Sequence, residues 1–461
     1  MGRLIVVSNR VALPKETRAG GLASALSAAL AERGGLWFGW SGRIAEGNGA
    51  RTPHTLRAGN IDYALIDLTR SEHEHYYLGF ANRTLWPLLH FRPSLLEYKR
   101  ADFEGYMRVN RLFAEHIARL ARPDDTIWVH DYHLIPLADE LRRLGVAARI
   151  GFFLHIPLPT AALLSMLPHH EHLFPTLAAY DLIGLQNWRD RDALLEYFRT
   201  EVGANIRSGG RIEVKGRRLR VQTFPIAIDT AEVASQAARA VNSAATQRLI
   251  RSLEHRALAI GVDRLDYSKG LPQRFEAFGH FFSRHPEWRS RISFLQIAPP
   301  SREEVPEYRE LRSRLERLAG ATNGRYAEPD WMPIRYVNRS FNQATLAGFY
   351  RAADIAVVTP LRDGMNLVAK EFVAAQPADD PGVLILSSFA GAADELKQAI
   401  IINPFDADDI SDSLLKALTM PLAERRERWQ TMFDYLVRND VSRWRTAFLD
   451  ALAQDGWRDA A

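Results

Sequence analysis

Short apolar runs alternate with stretches of helical periodicity along almost the whole chain, a pattern that predicts parallel α/β sheets. In the first half, "RLIVVSN" (3–9), "IDYALID" (61–67), "TIWVHD" (126–131), "RIGFFLH" (149–155) and "DLIGLQ" (181–186) read as strands. Helical spacing falls between them, as in "GLASALSAALAERGG" (21–35) and "RVNRLFAEHIARLA" (108–121). A second series runs through "RALAIGVDRLD" (256–266), "ISFLQIAP" (292–299), "ADIAVVTP" (353–360), "GVLILS" (382–387) and "AIIINP" (399–404). Val, Ile and Leu are nearly unbroken in these runs, which predicts strands covered on both faces, as in doubly wound sheets. "RIEVKGRRLR" (211–220) alternates instead and reads as a solvated hairpin.

An alanine-rich helical stretch (231–255) separates the two series and sets the expected boundary. The expected division is a first domain over 1–232, a second over 233–438 and a closing helix over 439–461. That helix has Asp440 as its N-cap and places Trp444, Phe448 and Leu452 on one face. A chain of 461 residues exceeds one ordinary core, in keeping with two domains. Two Rossmann-like sheets facing one another would bring their strand C-terminal ends to one cleft, where open α/β sheets bind ligands.

Composition narrows the function. The chain is 47% hydrophobic and 25% charged, as an ordinary globular protein is. It has no cysteine, which removes disulfides and thiolate metal sites. No leader pattern opens it, and no apolar stretch nears the roughly 20 residues that span a bilayer, so a cytoplasmic protein with no membrane partner is expected. Net charge is only +4, and the arginines sit singly beside apolar strands. This suits small phosphate-bearing ligands better than nucleic acid.

The polar residues just past the strands carry the chemistry. Arg10 ends the first strand, and an adjacent pair of glycines, Gly20 and Gly21, opens a helix whose N–H groups suit an anion. Asp131 follows "TIWVH" and His155 follows "IGFFL", a placement that suits hydroxyl-rich ligands. Convergence of His130, Asp131, His133 and His155 on zinc is weighed and set aside, because no metal-binding helix motif is present. Trp40, read as a loop residue between Gly39 and Ser41, and Trp86 before Pro87 offer flat platforms for a sugar.

In the second half, Arg264 and Lys269 share one loop after a strand, able to neutralise a diphosphate and hold the charge of its departure. A generic Lys/Arg pair would only form surface salt bridges, and position after the strand is what favours a site. Arg302 repeats the placement beyond "FLQIA". In "RDGMNLVAKE", Gly364 is expected to turn with positive φ ahead of a helix starting near Met365 or Asn366. The free N–H groups of that first turn suit a diphosphate. Asp363 precedes the turn, and Glu371 lies about one and a half turns in, facing a ribose.

Together "VVSNR", "AGGL", "GGLWFGWSG", "LWPLLHF", "IWVHDYHL", "IGFFLHIPLPT", "DRLDYSKGLPQRF", "QIAPPSR" and "TPLRDGMNLVAKEF" resemble the trehalose-6-phosphate synthase family of retaining glycosyltransferases. The resemblance runs from residue 5 to 372 and continues through "GVLILSSFAGAADEL". It implies a GT-B architecture, with two Rossmann-like domains and a C-terminal helix crossing back to the first. It also implies glucose transfer from a nucleotide-diphosphate glucose, with UDP-glucose foremost, to glucose 6-phosphate. The product would be α,α-trehalose 6-phosphate, formed by a front-face, internal-return-like route without metal or cofactor.

By motif, Arg10, Gly21, Trp40, Tyr77, Trp86, Asp131 and Arg302 would hold the acceptor. His155, Arg264, Lys269 and Asp363 would carry the reaction. Met365, Asn366, Leu367 and Val368 would offer backbone amides to the donor, Glu371 would meet its ribose, and Phe341 and Leu346 would bring main-chain contacts to its base. The chain departs from the family pattern at Leu158, Asn187 and Ala227, none of which removes a charge. A related transferase with another acceptor or donor shares these phosphate sites, as would a catalytically silent binding protein. Examples are a glucosylglycerol-phosphate synthase and a pseudo-glycosyltransferase. A homo-oligomer is compatible with every reading, and Arg362 carries no assigned role.

Overall fold

Runs of Val, Ile and Leu need apolar cover on both faces, and in the computed structural model each such run is a sheet strand with helices packed against it. The structure describes residues 2–13, 26–27, 29–32, 34–46, 52–302 and 304–454. The chain divides into two units, Met1–Ile226 with Ser442–Ala461, and Ala227–Val441. Among the described residues no helix is long and apolar enough to cross a membrane.

The first unit holds strands β1 (Leu4–Arg10), β2 (Gly35–Ile44), β3 (His54–Ala58), β4 (Ile61–Leu68), β5 (Thr126–His130) and β6 (Arg149–Phe153). It continues with β7 (Leu182–Leu185), β8 (Asn205–Arg207), β9 (Arg211–Val214) and β10 (Arg217–Thr223). They form one sheet in the order β3-β4-β2-β1-β5-β6-β7-β10-β9-β8. Its centre is parallel, and only the margins are antiparallel. The hairpin expected at 211–220 is the β9–β10 pair. Strand order runs outward in both directions from β1 and β5, so the switch point lies between Arg10 and Asp131.

One expectation fails here. Trp40 is not in a loop but on β2, which pairs with β1 and β4, and only 5% of it is exposed. The glycines that read as loop residues serve close packing instead. A Cβ on Gly39 would come within 2.2 Å of the Ser8 carbonyl oxygen.

The second unit has six parallel strands: β11 (Ala257–Val262), β12 (Ile292–Ile297), β13 (Ile334–Val337), β14 (Ile355–Val358), β15 (Val383–Ser387) and β16 (Ile400–Ile402). Their order is β13-β12-β11-β14-β15-β16, a doubly wound sheet whose direction of winding reverses between β11 and β14. Helices Leu271–Arg284 and Pro306–Tyr326 supply Phe275, Phe278, Phe281 and Leu315 to its core. The alanine-rich segment forms helices Thr230–Ala240 and Ala244–Arg251.

The chain's last described helix, Val441–Ala453, returns to the first unit. Phe448 is fully buried and stacks on Trp128 at 4.7 Å and 14°. Gly151 of β6 and Gly184 of β7 make its seat, since a Cβ on either would come within 2.8 Å of the Phe448 ring. Trp444 Nε1 donates to the Phe224 carbonyl, and Arg149 and Arg220 donate to the carbonyls that close the helix.

Candidate active site

Each unit gathers its chemistry at the switch point of its own sheet. In the first unit Arg10 ends β1, with its guanidinium 5.8 Å over the Trp40 ring. Gly42, at φ 87°, leaves the room that guanidinium fills, because a Cβ there would lie 2.6 Å from Arg10 Cζ. Trp40 lies 5.6 Å from Tyr77, and Tyr77 stacks on His133 at 6.0 Å and 12°. Tyr77 comes from a π-helix, His73–Leu85, a wide turn in which the Trp86 N–H reaches back to the Ala81 carbonyl. Such turns are rare and concentrate at functional sites. Neighbouring Tyr76 donates its hydroxyl to Asn9 Oδ1 at 2.9 Å, tying this helix to the end of β1. Trp86 is buried at the foot of the π-helix, 5.7 Å from Tyr132.

Asp131 follows β5 with φ 76° and ψ 165°, a conformation L-residues rarely adopt. Its N–H donates to the Phe153 carbonyl, and its Oδ1 accepts the His155 N–H at 3.3 Å, so the end of β6 holds it through two bonds. His155 stands at the end of β6 with its Nε2 3.1 Å from His130 Nδ1. Burial lowers its pKa to about 3, and burial with the neighbouring His155 lowers His130 as well. Both rings are therefore neutral at ordinary pH. The Asn187 of the family departures caps helix Trp188–Thr200 through the Asp190 N–H, and Asp190 in turn accepts the Leu158 N–H. Gly21 lies outside the described residues.

In the second unit the loop after β11 runs from Asp263 to Gly270. Buried Asp266 accepts the Ser268 N–H, and Arg302 Nη1 donates to the same carboxylate at 3.1 Å. Tyr308 lies beside this pair, with its hydroxyl 2.7 Å from Arg302. Arg302 thus belongs to the second unit, with its backbone at φ 50°. Arg264 is exposed on the same loop. Lys269 Nζ is 2.5 Å from Asp363 Oδ2, each side chain 14% exposed, so the loops after β11 and β14 are joined by one ion pair.

The turn after β14 differs from expectation in one respect. Positive φ falls on Asn366, at 82°, and not on Gly364. Asn366 is able to take it because its amide is bonded on both sides, accepting the Ala369 N–H and donating to Asp363 Oδ2 at 3.1 Å. The helix Leu367–Ala375 therefore starts one residue later, and the N–H groups of Leu367 and Val368 have no acceptor within the helix. Met365 is buried just ahead of them, its carbonyl accepting the Ala392 N–H. Glu371 is partly buried near Tyr350, and burial pushes its carboxyl up to about 7. Phe341 meets Phe349 edge to face at 5.3 Å, and Leu346 is buried on the next helix, which Asn342 caps.

One group has no reading in the sequence. Arg274, fully buried, donates to Asp263 at 2.8 Å, Gln296 at 2.7 Å and Thr359 at 3.0 Å, beneath the loops that carry Lys269 and Asp363. It sat in "DRLDYSKGLPQRF", four residues after Gly270 on a face otherwise filled with phenylalanine, and that apolar spacing was its only signal. Of the four residues weighed above for convergence, His130 and His155 do meet, as a pair of rings across neighbouring strands.

The model of glycosyltransferase family 20 matches residues 6–454. The chain belongs to glycosyltransferase family 20. It is a glycosyltransferase, and its two parallel α/β sheets with a returning C-terminal helix are the GT-B architecture of that family. It is 50% identical to a trehalose-6-phosphate synthase of Sinorhizobium fredii, over 98% of each chain. It is also similar to the crystal structure of a UDP-forming α,α-trehalose-phosphate synthase from Burkholderia xenovorans in complex with glucose-6-phosphate. That similarity has a TM-score of 0.95 and 46% identity, over 98% of this chain and 100% of that one. The trehalose-6-phosphate synthase of E. coli bound with UDP-2-fluoro glucose gives a TM-score of 0.94 at 43% identity, over 98% and 99%.

Proposed function

We propose that this chain transfers glucose from UDP-glucose to glucose 6-phosphate, forming α,α-trehalose 6-phosphate with retained configuration. The observation that carries the reading is the Lys269–Asp363 pair, which joins a cation suited to a diphosphate and a carboxylate suited to a sugar at the switch point of one sheet. The first unit is the acceptor-binding domain and the second the nucleotide-sugar-binding domain. Arg10 and Arg302 bind the acceptor phosphate, with Gly21 adding a backbone contact. Trp40, Tyr77, Trp86 and Asp131 shape the acceptor sugar's place.

On the donor side Arg264 and Lys269 take the diphosphate, assisted by the N–H groups at Met365, Asn366, Leu367 and Val368. Two cations and a helix N-terminus stabilise the charge that develops on the leaving group. Glu371 accepts from the ribose, the main chain at Phe341 and Leu346 meets the base, and His155 and Asp363 hold the glucose. A double displacement needs a carboxylate free to attack the anomeric carbon. Asp363 is instead engaged by Lys269 and Asn366. That supports the front-face route, in which the departing phosphate oxygen takes the proton of the acceptor hydroxyl as the new bond forms on the same side. A cytoplasmic location belongs to the same reading.

The test is product identification. The protein is incubated with glucose 6-phosphate and, in turn, UDP-, GDP- and ADP-glucose, and the disaccharide is read by NMR. UDP-glucose giving the α,α-linked phosphate fastest is the expected result. No trehalose 6-phosphate from any donor would overturn the activity, and a preference for GDP- or ADP-glucose would overturn the donor.

A further inference from the structure

His130 ends β5 and His155 follows β6, and these strands are neighbours in the sheet. With 3.1 Å between His130 Nδ1 and His155 Nε2, one proton joins the two rings. The His130 side chain is fully buried, with the Trp128 ring 4.5 Å away and Phe153 at 6.4 Å. Its Nε2 has no hydrogen-bond partner among the described residues. Burial opposes a charge on either ring, so the choice lies between two neutral arrangements.

If His155 donates from Nε2, His130 must carry its own proton on Nε2, a buried N–H with no acceptor. If His130 donates from Nδ1, the group left at its Nε2 is only an unused lone pair. Orphaned buried donors are rarer than under-used acceptors. We propose that His130 is a positioning residue that fixes His155 as the Nδ1–H tautomer, so that His155 meets its ligand with a neutral N–H donor. The acceptor of that N–H is an oxygen of the donor sugar, a step that rests on the function proposed above. The tautomer itself does not rest on it. A donor fixed before the substrate arrives needs no reorganisation as charge develops.

The experiment uses the ligand-free full chain with nitrogen-15 in its histidines, the His155 signals being assigned with His155→Gln. The expected spectrum has a protonated, pyrrole-type Nδ1 and a bare, pyridine-type Nε2 for His155. His130→Phe keeps a ring but loses the donor, and should give loss of the single-tautomer pattern. His130→Asn, whose amide still donates, should restore it. A proton on His155 Nε2 in the unaltered protein overturns the proposal, and that spectrum decides even if a variant fails to fold. So does an unchanged tautomer in His130→Phe. Neither readout involves turnover, so a failed product assay leaves the tautomer result standing.

Discussion

Glu371 is a carboxyl held against its own solvation. Burial pushes it up to about 7 from the 4.5 of a free glutamate, and Tyr350 only partly opposes the shift. Between those two pH values the folded chain keeps a proton that the unfolded chain releases, so this residue's contribution to stability falls as pH rises. The loss is complete above pH 7, where at about 1.4 kcal/mol per pKa unit it costs about 3 kcal/mol. The ribose contact proposed above for this carboxylate gives a reason to keep so costly a group. Glu371→Gln is therefore expected to raise Tm at pH 8 and to change it little at pH 5. It should also weaken the donor's KM while sparing that of the acceptor. Thermal unfolding at the two pH values with paired KM measurements checks this, and an equal Tm shift at both values would refute the linkage. Asp131 shows the same economy in its backbone, since its φ of 76° stores about 1–3 kcal/mol at the switch point of the first unit's sheet.

Strand ends become a site only when something holds them in register, and in the second unit that is the start of helix Leu271–Arg284. Gly270 admits the helix at φ 64°, with so little room that a Cβ would lie 2.0 Å from the Thr359 carbonyl oxygen. Arg274, one turn in, then ties Asp263, Gln296 and Thr359, which stand at the ends of β11, β12 and β14. Burial raises the Asp263 carboxyl, and Arg274 and Lys269 pull it back down. Removing the guanidinium leaves a buried carboxylate uncompensated, which costs about 3–5 kcal/mol. Arg274→Met should lower the urea midpoint accordingly at pH 7 and by less at pH 5, where Asp263 can take up a proton. Adding Asp263→Asn should recover much of the loss. No recovery in the double variant would mean that Arg274 acts through packing and not through this charge pair. The arginine's role was out of reach in the sequence because its partners lie as far as 85 residues away.

At the scale of the molecule, legibility follows the range of the forces involved. Unbroken Val/Ile/Leu runs announce a buried strand locally, and β1, β5, β11, β14 and β15 were readable for that reason. Strand β2 was not, because Gly39 and Gly42 carry turn signals while serving a close backbone approach and a guanidinium. Edge strand β13 buries Ile334 but not its other three residues, and its pattern was too weak to read. Arg264, Lys269 and Asp363 were visible as chemistry after strands. The positive φ of Asn366 was not, because the adjacent Gly364 is the residue that ordinarily takes it, and the strained Asp131 was not, because its partners Phe153 and His155 lie more than 20 residues on. The same logic explains Gly151 and Gly184, two glycines inside strands that ought to weaken them. Their purpose appears only with Phe448, some 300 residues on, whose ring fills the space they leave and stacks on Trp128. The closing helix is thus a late-translated part of the first unit's core, backing the strands that carry His130, Asp131 and His155. Phe448→Ala should cost about 3–5 kcal/mol in that unit through the cavity it opens. Because each unit has its own core, hydrogen exchange should quicken in β5, β6 and β7 while β11 and β14 keep their protection. Equal loss in both sheets would show that the two units unfold as one, and would deny the helix its role as a staple of the first unit alone.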